Sequence, residues 1–263
     1  MTPTDRLRGI ARAVLRRPRE PDHHDNVAYN RHLWDWYADK WRRDPQFRRD
    51  QADVRHDPEA GDDRFGVLGY EWGTAADLDA VIAEFIDPFI DAGSVAGEIG
   101  SGGGRVAAKV VDRVARLYCF DISPRMLEQA RRALGDRSDV EYVVLDGARL
   151  PSELGGALDF LYAFDVFVHL DLHTIWKYVQ EAERTLRPGG HAFLHTANLA
   201  APGGWANFAK QDVYRPQTHY FISPEIARTL VAHTGLEIVK QGEPDPNRFY
   251  LNRDYLFVVR KPT

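Results

Sequence analysis

From Thr74 onward the sequence alternates short apolar runs with amphipathic segments, and this alternation restricts the folds open to the chain. Regular alternation of this kind predicts a parallel sheet with helices on both faces. We therefore expect an α/β fold built on a doubly wound, Rossmann-like sheet. The runs that predict five successive strands and then two C-terminal ones are residues 94–99, 116–120, 140–145, 158–163, 191–196, 236–240 and 255–260.

Composition narrows the class of protein. The 263 residues are 44% hydrophobic and 28% charged, which is the balance of a soluble globular protein. No run of 18 apolar residues is present, so no transmembrane helix is predicted. The net charge of −5 makes a general affinity for nucleic acid unexpected. Cys119 is the single cysteine, so an internal disulfide is impossible; we expect a cytoplasmic protein in which this thiol is buried filler.

Residues 4–17 form a basic amphipathic pattern, with apolar side chains on one helical face and arginines around the rest. The pattern lacks the long apolar region of a secretory signal. It is compatible with a surface helix docked on its own or a neighbouring protomer, and also with peripheral contact to an anionic membrane. Pro18 to Pro21 is predicted to be a linker.

A second helix is predicted from Asn26 to Arg43, and it is rich in aromatic residues. Its stripe of rings fits either a core or lid that packs on the main domain, or the mouth of a substrate pocket. Trp34 and Tyr37 are the candidates for substrate contact. Residues 44–66 are charged and are expected to form a long loop. Residues 1–73 together are predicted to be an N-terminal helical extension or lid, ahead of the main domain at 74–263.

The glycine-rich turn after the first strand is the most informative motif. Its pattern is Glu98-x-Gly100-x-Gly102-x-Gly104, whereas a dinucleotide fingerprint would need glycine where Arg105 stands. Glycines let the backbone approach a ligand closely. A carboxylate two residues before the first glycine attracts a cation and repels a pyrophosphate. The turn therefore predicts a cationic ligand.

Two more acidic residues fit the same ligand. Asp121 ends the second strand, 23 residues after Glu98, where a carboxylate can accept hydrogen bonds from both ribose hydroxyls. Asp146 follows the third strand and could accept a hydrogen bond from an adenine amino group. Gly147 and Ala148 beside it offer backbone contacts.

With these motifs, residues 74–261 resemble the class I S-adenosylmethionine (SAM)-dependent methyltransferases. The resemblance rests on the glycine motif, on residues 118–127, on Asp146-Gly147 and on the Arg-Pro-Gly-Gly turn at 187–190. It implies a seven-stranded sheet with a C-terminal antiparallel hairpin, SAM as cofactor and S-adenosylhomocysteine (SAH) as product. The residues expected at the cofactor are Trp72, Glu98, Gly100, Ser101, Gly102, Gly104, Asp121, Ile122, Met126, Asp146, Gly147, Ala148 and Phe164.

The segment after the fourth strand bears on the methyl acceptor. Methyltransferases of this fold that act on base amines often carry Asn/Asp-Pro-Pro-Tyr here, and this chain does not. It instead places His169 near the expected position of the methyl group. A neutral imidazole can take the proton of a hydroxyl during transfer, although a histidine here can also simply pack or cap the next helix. His195 and His219 are secondary catalytic candidates.

A long insertion at 197–222 is predicted to be a lid. Its mixture of rings and polar groups favours a sugar hydroxyl as acceptor. Fatty-acid carboxyl methylation, a non-catalytic SAM-binding protein, and RNA modification through the basic N-terminus remain alternatives. The residues expected at the substrate are Trp34, Tyr37, Glu71, Asp165, Trp205, Tyr214 and Tyr220.

Metal dependence and oligomeric state stay open at this point. Asp165, Asp171 and Asn198 could gather around Mg²⁺, which prefers oxygen ligands, but nothing in their spacing requires it. A monomer and a homodimer are both compatible with the sequence.

Overall fold

A computed structural model describes residues 25–52, 67–215 and 218–263 of the chain. Within them the strands form one eight-stranded sheet in the order β3-β2-β1-β4-β5-β8-β7, with β6 paired to the end of β5. The strands are β1 Val95–Ile99, β2 Arg116–Asp121, β3 Val140–Val144, β4 Leu158–Ala163, β5 Leu186–Asn198, β6 Phe221–Ile222, β7 Glu237–Gln241 and β8 Asp254–Arg260.

Helices pack around this sheet and above its carboxyl edge. The α-helices are α1 Asn26–Arg43, α2 Pro45–Ala52, α3 Ala75–Phe85, α4 Ala107–Val110, α5 Pro124–Leu134, α6 Leu172–Thr185, α7 Pro202–Phe208, α8 Pro224–Ala232 and α9 Phe249–Arg253. None of the helices in the described ranges is both long and apolar enough to cross a bilayer.

The sheet topology confirms the expected fold class. Strands β1 to β5 run parallel, while β8 is antiparallel to both β5 and β7. Successive side chains of a strand point to opposite faces, so each strand feeds two cores. Leu117 and Cys119 lie in one core and Phe120 in the other, and all three are fully buried. The short β6 is the one strand that the sequence pattern did not predict.

Several helix starts follow from local chemistry that the sequence displays. The side chains of Thr74, Ser123 and Asp171 each accept a hydrogen bond from a backbone N–H in the first turn of α3, α5 and α6. Pro124 occupies the first position of α5, where its fixed φ suits a helix and its missing N–H costs nothing.

The structure corrects one local expectation, the loop at 44–66, and adds two details that the sequence pattern did not specify. The helix after the glycine turn, α4, ends at Val110 and continues only as a 3₁₀ turn to Arg113, since β-branched valines in this stretch disfavour helix. Residues 45–52 are helical rather than loop, because the Asp44 carboxylate accepts from the N–H groups of Gln46 and Phe47. The insertion at 197–222 contains α7. The basic pattern at 4–17 lies outside the described residues.

The N-terminal helix α1 lies across the carboxyl edge of the sheet. Arg31 donates to the carbonyl oxygens of Ile122 and Leu145, which follow β2 and β3, at 3.0 and 2.8 Å. Four residues later, Asp35 accepts from Ser123 Oγ at 2.6 Å. Because ligands of doubly wound sheets bind beyond the carboxyl ends of the strands, α1 covers the expected site. Whether residues 1–73 form a separate unit stays a prediction.

Residues 67–72 close a second side of this edge by packing on the glycine turn. A Cβ on Gly103 would lie 2.3 Å from the Leu68 carbonyl oxygen, whereas a Cβ on Gly147 would meet nothing within 4 Å.

We expect Gly103→Ala to lower the free energy of unfolding by about 1–3 kcal/mol, because the added methyl group overpacks this contact. Urea denaturation checks this, with Gly147→Ala as the matched control; equal stabilities of the two variants would contradict it.

Candidate active site

A cavity of about 360 Å³ lies between α1 and the carboxyl ends of β1, β2 and β4. Its volume falls within the roughly 300–1,000 Å³ of small-molecule sites. A smaller cavity of about 30 Å³ adjoins it behind the glycine turn. Four residues line both cavities, namely Trp72, Gly100, Gly102 and Asp165.

The glycine turn shapes the boundary between the two cavities. Gly100 has φ +68°, and a Cβ there would lie 2.4 Å from Val166 Cγ2. Gly102 has φ +53°, and a Cβ there would project into open space, with the Gly100 carbonyl oxygen at 3.9 Å as its nearest contact. The missing side chain of Gly102 thus leaves room for a ligand. Gly104 differs, because its Cβ would meet Leu134 and Ala130 of α5. We therefore correct Gly104 from a cofactor contact to a packing glycine.

Asp121 faces the main cavity from the end of β2. Its carboxylate accepts from the N–H groups of Gly102 and Ser123 at 2.9 and 2.8 Å. Burial raises its pKa to about 6, although these two hydrogen bonds act in the opposite direction. Ile122 and Met126, predicted beside it, also line the cavity.

Glu98 lies at the small cavity, together with Ser101 and Phe164. Its side chain is buried, and its Oε2 has no hydrogen-bond partner among the described residues. Burial raises the pKa of this carboxyl well above its usual value. A cationic group in the small cavity would remove that penalty, because an ionised carboxylate is costly to bury without a partner.

Glu71 and Tyr37 join α1 to residues 67–72 above the main cavity. The Tyr37 hydroxyl donates to Glu71 Oε1 at 2.8 Å, and the Gly69 N–H donates to Glu71 Oε2 at 2.7 Å. Burial raises the pKa of Glu71. Trp34, Tyr37, Glu71 and Trp72 all line the main cavity; the sequence pattern had suggested a pocket mouth for the first two only.

Asp165 is held in an unusual backbone conformation just after β4. Its φ of +57° makes it the one non-glycine residue with positive φ in the part of the chain that the structure describes. Its Oδ2 accepts from Arg105 Nη2 at 2.6 Å and from the Tyr250 hydroxyl at 3.1 Å. Burial alone would raise the pKa of Asp165, but Arg105, His195 and Arg253 together outweigh it and hold the pKa well below its usual value. Its own N–H donates to His195 Nδ1 at 3.0 Å.

His195 is fully buried and does not line either cavity. Its Nε2 lies 3.0 Å from Asp254 Oδ2. Asp254 in turn accepts from Arg253 Nη2 at 2.6 Å, and Arg253 does line the main cavity. Because both ring nitrogens face other protein groups, we correct His195 from a candidate base to a residue that supports Asp165.

His169 and His219 face each other at one end of the main cavity, with ring centroids 5.9 Å apart. His169 Nδ1 lies 3.2 Å from the Thr218 carbonyl oxygen, so Nδ1 carries the proton and Nε2 carries the lone pair. The His169 carbonyl accepts from the Tyr214 hydroxyl at 3.0 Å and from Asn26 Nδ2 at 3.4 Å. Burial, with help from Arg253 and His169, lowers the pKa of His219 to about 3. His219 is therefore neutral at ordinary pH.

Several predicted site residues lie elsewhere. Asp146, Gly147 and Ala148 line neither cavity, and Asp146 is exposed. Trp205 is 59% exposed and packs on Phe208. Tyr214 and Tyr220 also lie outside the cavities and contact each other. The lid insertion therefore contributes His219, rather than these three rings, to the main cavity.

The three oxygen-bearing residues considered for Mg²⁺ are engaged separately. Asp165 pairs with Arg105, Asp171 caps α6, and Asn198 Oδ1 accepts from the Ala200 N–H. No group of three or more His, Cys, Asp or Glu residues with metal-site geometry occurs among the described residues.

Sequence reasoning missed the residues that close and brace the site. Arg31, Asn30, Arg105 and Arg253 are each joined to partners far along the chain. For Arg105, the one available signal was its place directly after the glycine motif.

Comparisons with known proteins agree with this geometry. Residues 97–194 match a family described as a methyltransferase domain. The chain is 26% identical over 225 residues to the ubiquinone biosynthesis O-methyltransferase of Cupriavidus pinatubonensis, covering 76% of this chain and 89% of the relative.

Two solved structures are similar in fold. Magnesium protoporphyrin IX methyltransferase from Synechocystis PCC 6803, with bound SAH, has a TM-score of 0.62 and 18% identity and covers 90% of this chain and 100% of its own. A chain from the complex between the Haloferax volcanii Trm112 methyltransferase activator and a methyltransferase has a TM-score of 0.61 and 17% identity. The match covers 88% of this chain and 98% of that chain.

The methyltransferase-domain match at residues 97–194 and the fold support a class I SAM-dependent methyltransferase with SAM as cofactor. The residues present fit that cofactor. The unpartnered Glu98 Oε2 suits the ammonium group, the open space at Gly102 suits the backbone approach, and Asp121 can accept from ribose hydroxyls.

Cofactor affinity is expected to depend on the ionisation of Asp121. Because the pKa of Asp121 is raised to about 6, the carboxyl is ionised above that pH and protonated below it. Protonation removes an acceptor for the ribose hydroxyls, so the affinity for SAH should fall as the pH drops through this value. Well below this pH, the affinity for SAH should fall by about tenfold for each further pH unit.

Calorimetric titration of SAH from about pH 8 to about pH 5 checks this. Asp121→Asn should bind weakly with a much flatter pH profile. A wild-type affinity that stays constant over this range would contradict the assignment of Asp121 to the ribose.

Proposed function

We propose that this enzyme transfers the methyl group of SAM to a hydroxyl oxygen of a small molecule, with His169 as the general base. The observation that carries the proposal is the His169 imidazole on the cavity wall, with Nδ1 held at the Thr218 carbonyl. That contact leaves the lone pair on Nε2, the nitrogen that can take a proton.

Transfer to a hydroxyl requires two things of the protein. The acceptor oxygen must approach the methyl carbon in line, and its proton must leave as the new bond forms. SAM supplies the electrophilic methyl group on a sulfonium. His169 accepts the hydroxyl proton, and its Nδ1–H continues to donate to Thr218. Positioning supplies much of the rate, and the base adds about 10²- to 10⁴-fold.

The surroundings of His169 support this role. The backbone carbonyl of His169 accepts hydrogen bonds from α1 and from Tyr214, so the residue is fixed from behind. The edge of its ring lies against Trp34, with centroids 5.4 Å apart. His219 opposite stays neutral, so it can hydrogen-bond the acceptor without repelling a positively charged His169.

The cavity lining favours an acceptor hydroxyl on a ring. Side chains of Trp34, Tyr37, Trp72 and Tyr178 offer flat apolar surfaces, and polar side chains such as that of Asn30 line the same cavity. The expectation of a sugar acceptor was based on Trp205, Tyr214 and Tyr220, and these three rings lie outside the cavity. Phenols are therefore tested as acceptors together with sugars. The relative from Cupriavidus pinatubonensis is named an O-methyltransferase, which agrees with hydroxyl methylation.

Incubation with methyl-labelled SAM and a panel of phenols, sugars and fatty acids tests the proposal. The expected product carries a label that survives mild base, because a methyl ether is not hydrolysed as an ester is. A base-labile label on a fatty acid would mean a methyl ester and would overturn hydroxyl methylation. Bound SAM without transfer to any acceptor would favour a binding protein.

Replacement of His169 tests the base. We expect His169→Ala to lower kcat by about 10²- to 10⁴-fold with an alcohol acceptor while leaving SAH affinity nearly unchanged. His169→Gln should not restore the rate, because an amide is not a base. His173→Ala, an exposed histidine on α6, is the matched control. A His169→Ala enzyme with normal kcat would mean that positioning of the acceptor accounts for the rate and that His169 is not the base.

A further inference from the structure

We propose that Trp72, supported by Trp34 and Tyr37, binds the sulfonium of SAM by a cation–π interaction and so distinguishes the charged cofactor from neutral SAH. The inference rests on the identity of the cofactor and not on the acceptor. The aromatic residues of α1 and of residues 67–72 would then bind the cofactor as well as pack against each other.

The position follows from the connectivity of the ligand. In SAM the sulfur joins the amino-acid tail to the ribose. The tail belongs at the small cavity beside Glu98, and the ribose belongs in the main cavity beside Asp121. The sulfur must then lie where the two cavities meet. Trp72 is the one aromatic residue among the four that line both of them.

Two further aromatic rings, those of Trp34 and Tyr37, pack against Trp72 beside this junction. The Trp72 ring centroid lies 5.6 Å from that of Trp34 and 5.8 Å from that of Tyr37, and Trp34 and Tyr37 lie 6.0 Å apart. All three side chains line the main cavity. Tryptophan is the best aromatic partner for a cation, and cages of aromatic rings recognise onium groups.

Polar contacts fix these rings in place. Trp34 Nε1 donates to Asn30 Oδ1 at 3.2 Å, and the Tyr37 hydroxyl donates to Glu71 at 2.8 Å. Ordered rings lose little conformational freedom on binding, which strengthens a weak interaction of this kind.

The local charges are compatible with an added cation. Arg105 Cζ already lies 5.8 Å from the Trp72 ring, but Asp165 neutralises its charge at 2.6 Å. Glu71 borders the same space, and its carboxylate accepts hydrogen bonds from the Tyr37 hydroxyl and the Gly69 N–H. The junction therefore offers aromatic faces and carboxylate oxygen without a competing unpaired cation.

The arrangement also agrees with the proposed direction of transfer. Trp34 contacts both Trp72 and His169, at 5.6 and 5.4 Å between centroids, and all three line the main cavity. A sulfur near Trp72 and an acceptor oxygen near His169 would thus share one cavity, as in-line transfer requires. After transfer the sulfur is neutral, so the attraction disappears and release of SAH is favoured.

The ratio of the dissociation constants for SAH and SAM, measured by calorimetry without any acceptor, tests the proposal. We expect Trp72→Leu to reduce the preference for SAM about tenfold, within the range of a partly desolvated cation–π contact, while SAH affinity changes little. Trp72→Phe should give an intermediate ratio. Sinefungin carries an ammonium in place of the methylsulfonium, so Trp72→Leu should weaken its binding about as much as it weakens the binding of SAM.

Trp36→Leu is the matched control, because Trp36 lies on the same helix as Trp34, is 47% exposed and does not line either cavity. A parallel loss of SAM and SAH affinity in Trp72→Leu, with the ratio unchanged, would overturn the proposal and leave Trp72 a shape contact. If Trp72→Leu does not fold, Trp72→Phe and Trp34→Leu decide by the same ratio. The binding ratio does not depend on which acceptor is methylated, so failure of the O-methylation assay leaves this test intact.

Discussion

The burial of two carboxylates that form no salt bridge among the described residues is the constraint on which the cofactor side of the site depends. Glu98 and Asp121 end adjacent parallel strands, and in both the pKa is raised by burial. Such groups cost folding free energy when they ionise without a partner. A cationic group bound at Glu98 would offset this cost, which favours a positively charged ligand at the site.

The charged network around Asp165 solves the same problem differently. Arg105 and Arg253 are buried with Asp165 and Asp254, so cations and carboxylates balance within the protein. A balanced network needs no ligand charge and instead fixes geometry. It holds Asp165 at positive φ directly after β4, and thereby sets the path of residues 165–169 and the place of His169. Glu98 and Asp121 thus favour a charged ligand, whereas the network around Asp165 fixes the local geometry.

The parts of this structure that the sequence predicted are those governed by local rules. Strand alternation, the caps at Thr74, Ser123 and Asp171, and the glycine motif each depend on residues within a few positions. The contacts that hold the site together depend instead on residues far apart in the sequence. Arg31 reaches a carbonyl 114 residues away, and Asn26 reaches one 143 residues away. No local pattern specifies such pairs, so His195 was mistaken for a base and Trp205 for a substrate contact.

Helix α1 connects the cofactor side of the site to His169, although it lies outside the common core of the fold. Arg31 and Asp35 fix it to the strand ends beside the ribose position, while Asn26 and Asn30 fix it to the carbonyl of His169. Between these anchors it carries Trp34 and Tyr37. Any shift of α1 must therefore disturb both the cofactor side and the proposed base. For this reason changes in this helix should alter cofactor affinity and acceptor turnover together, whereas changes in the exposed ring of Trp205 should alter neither.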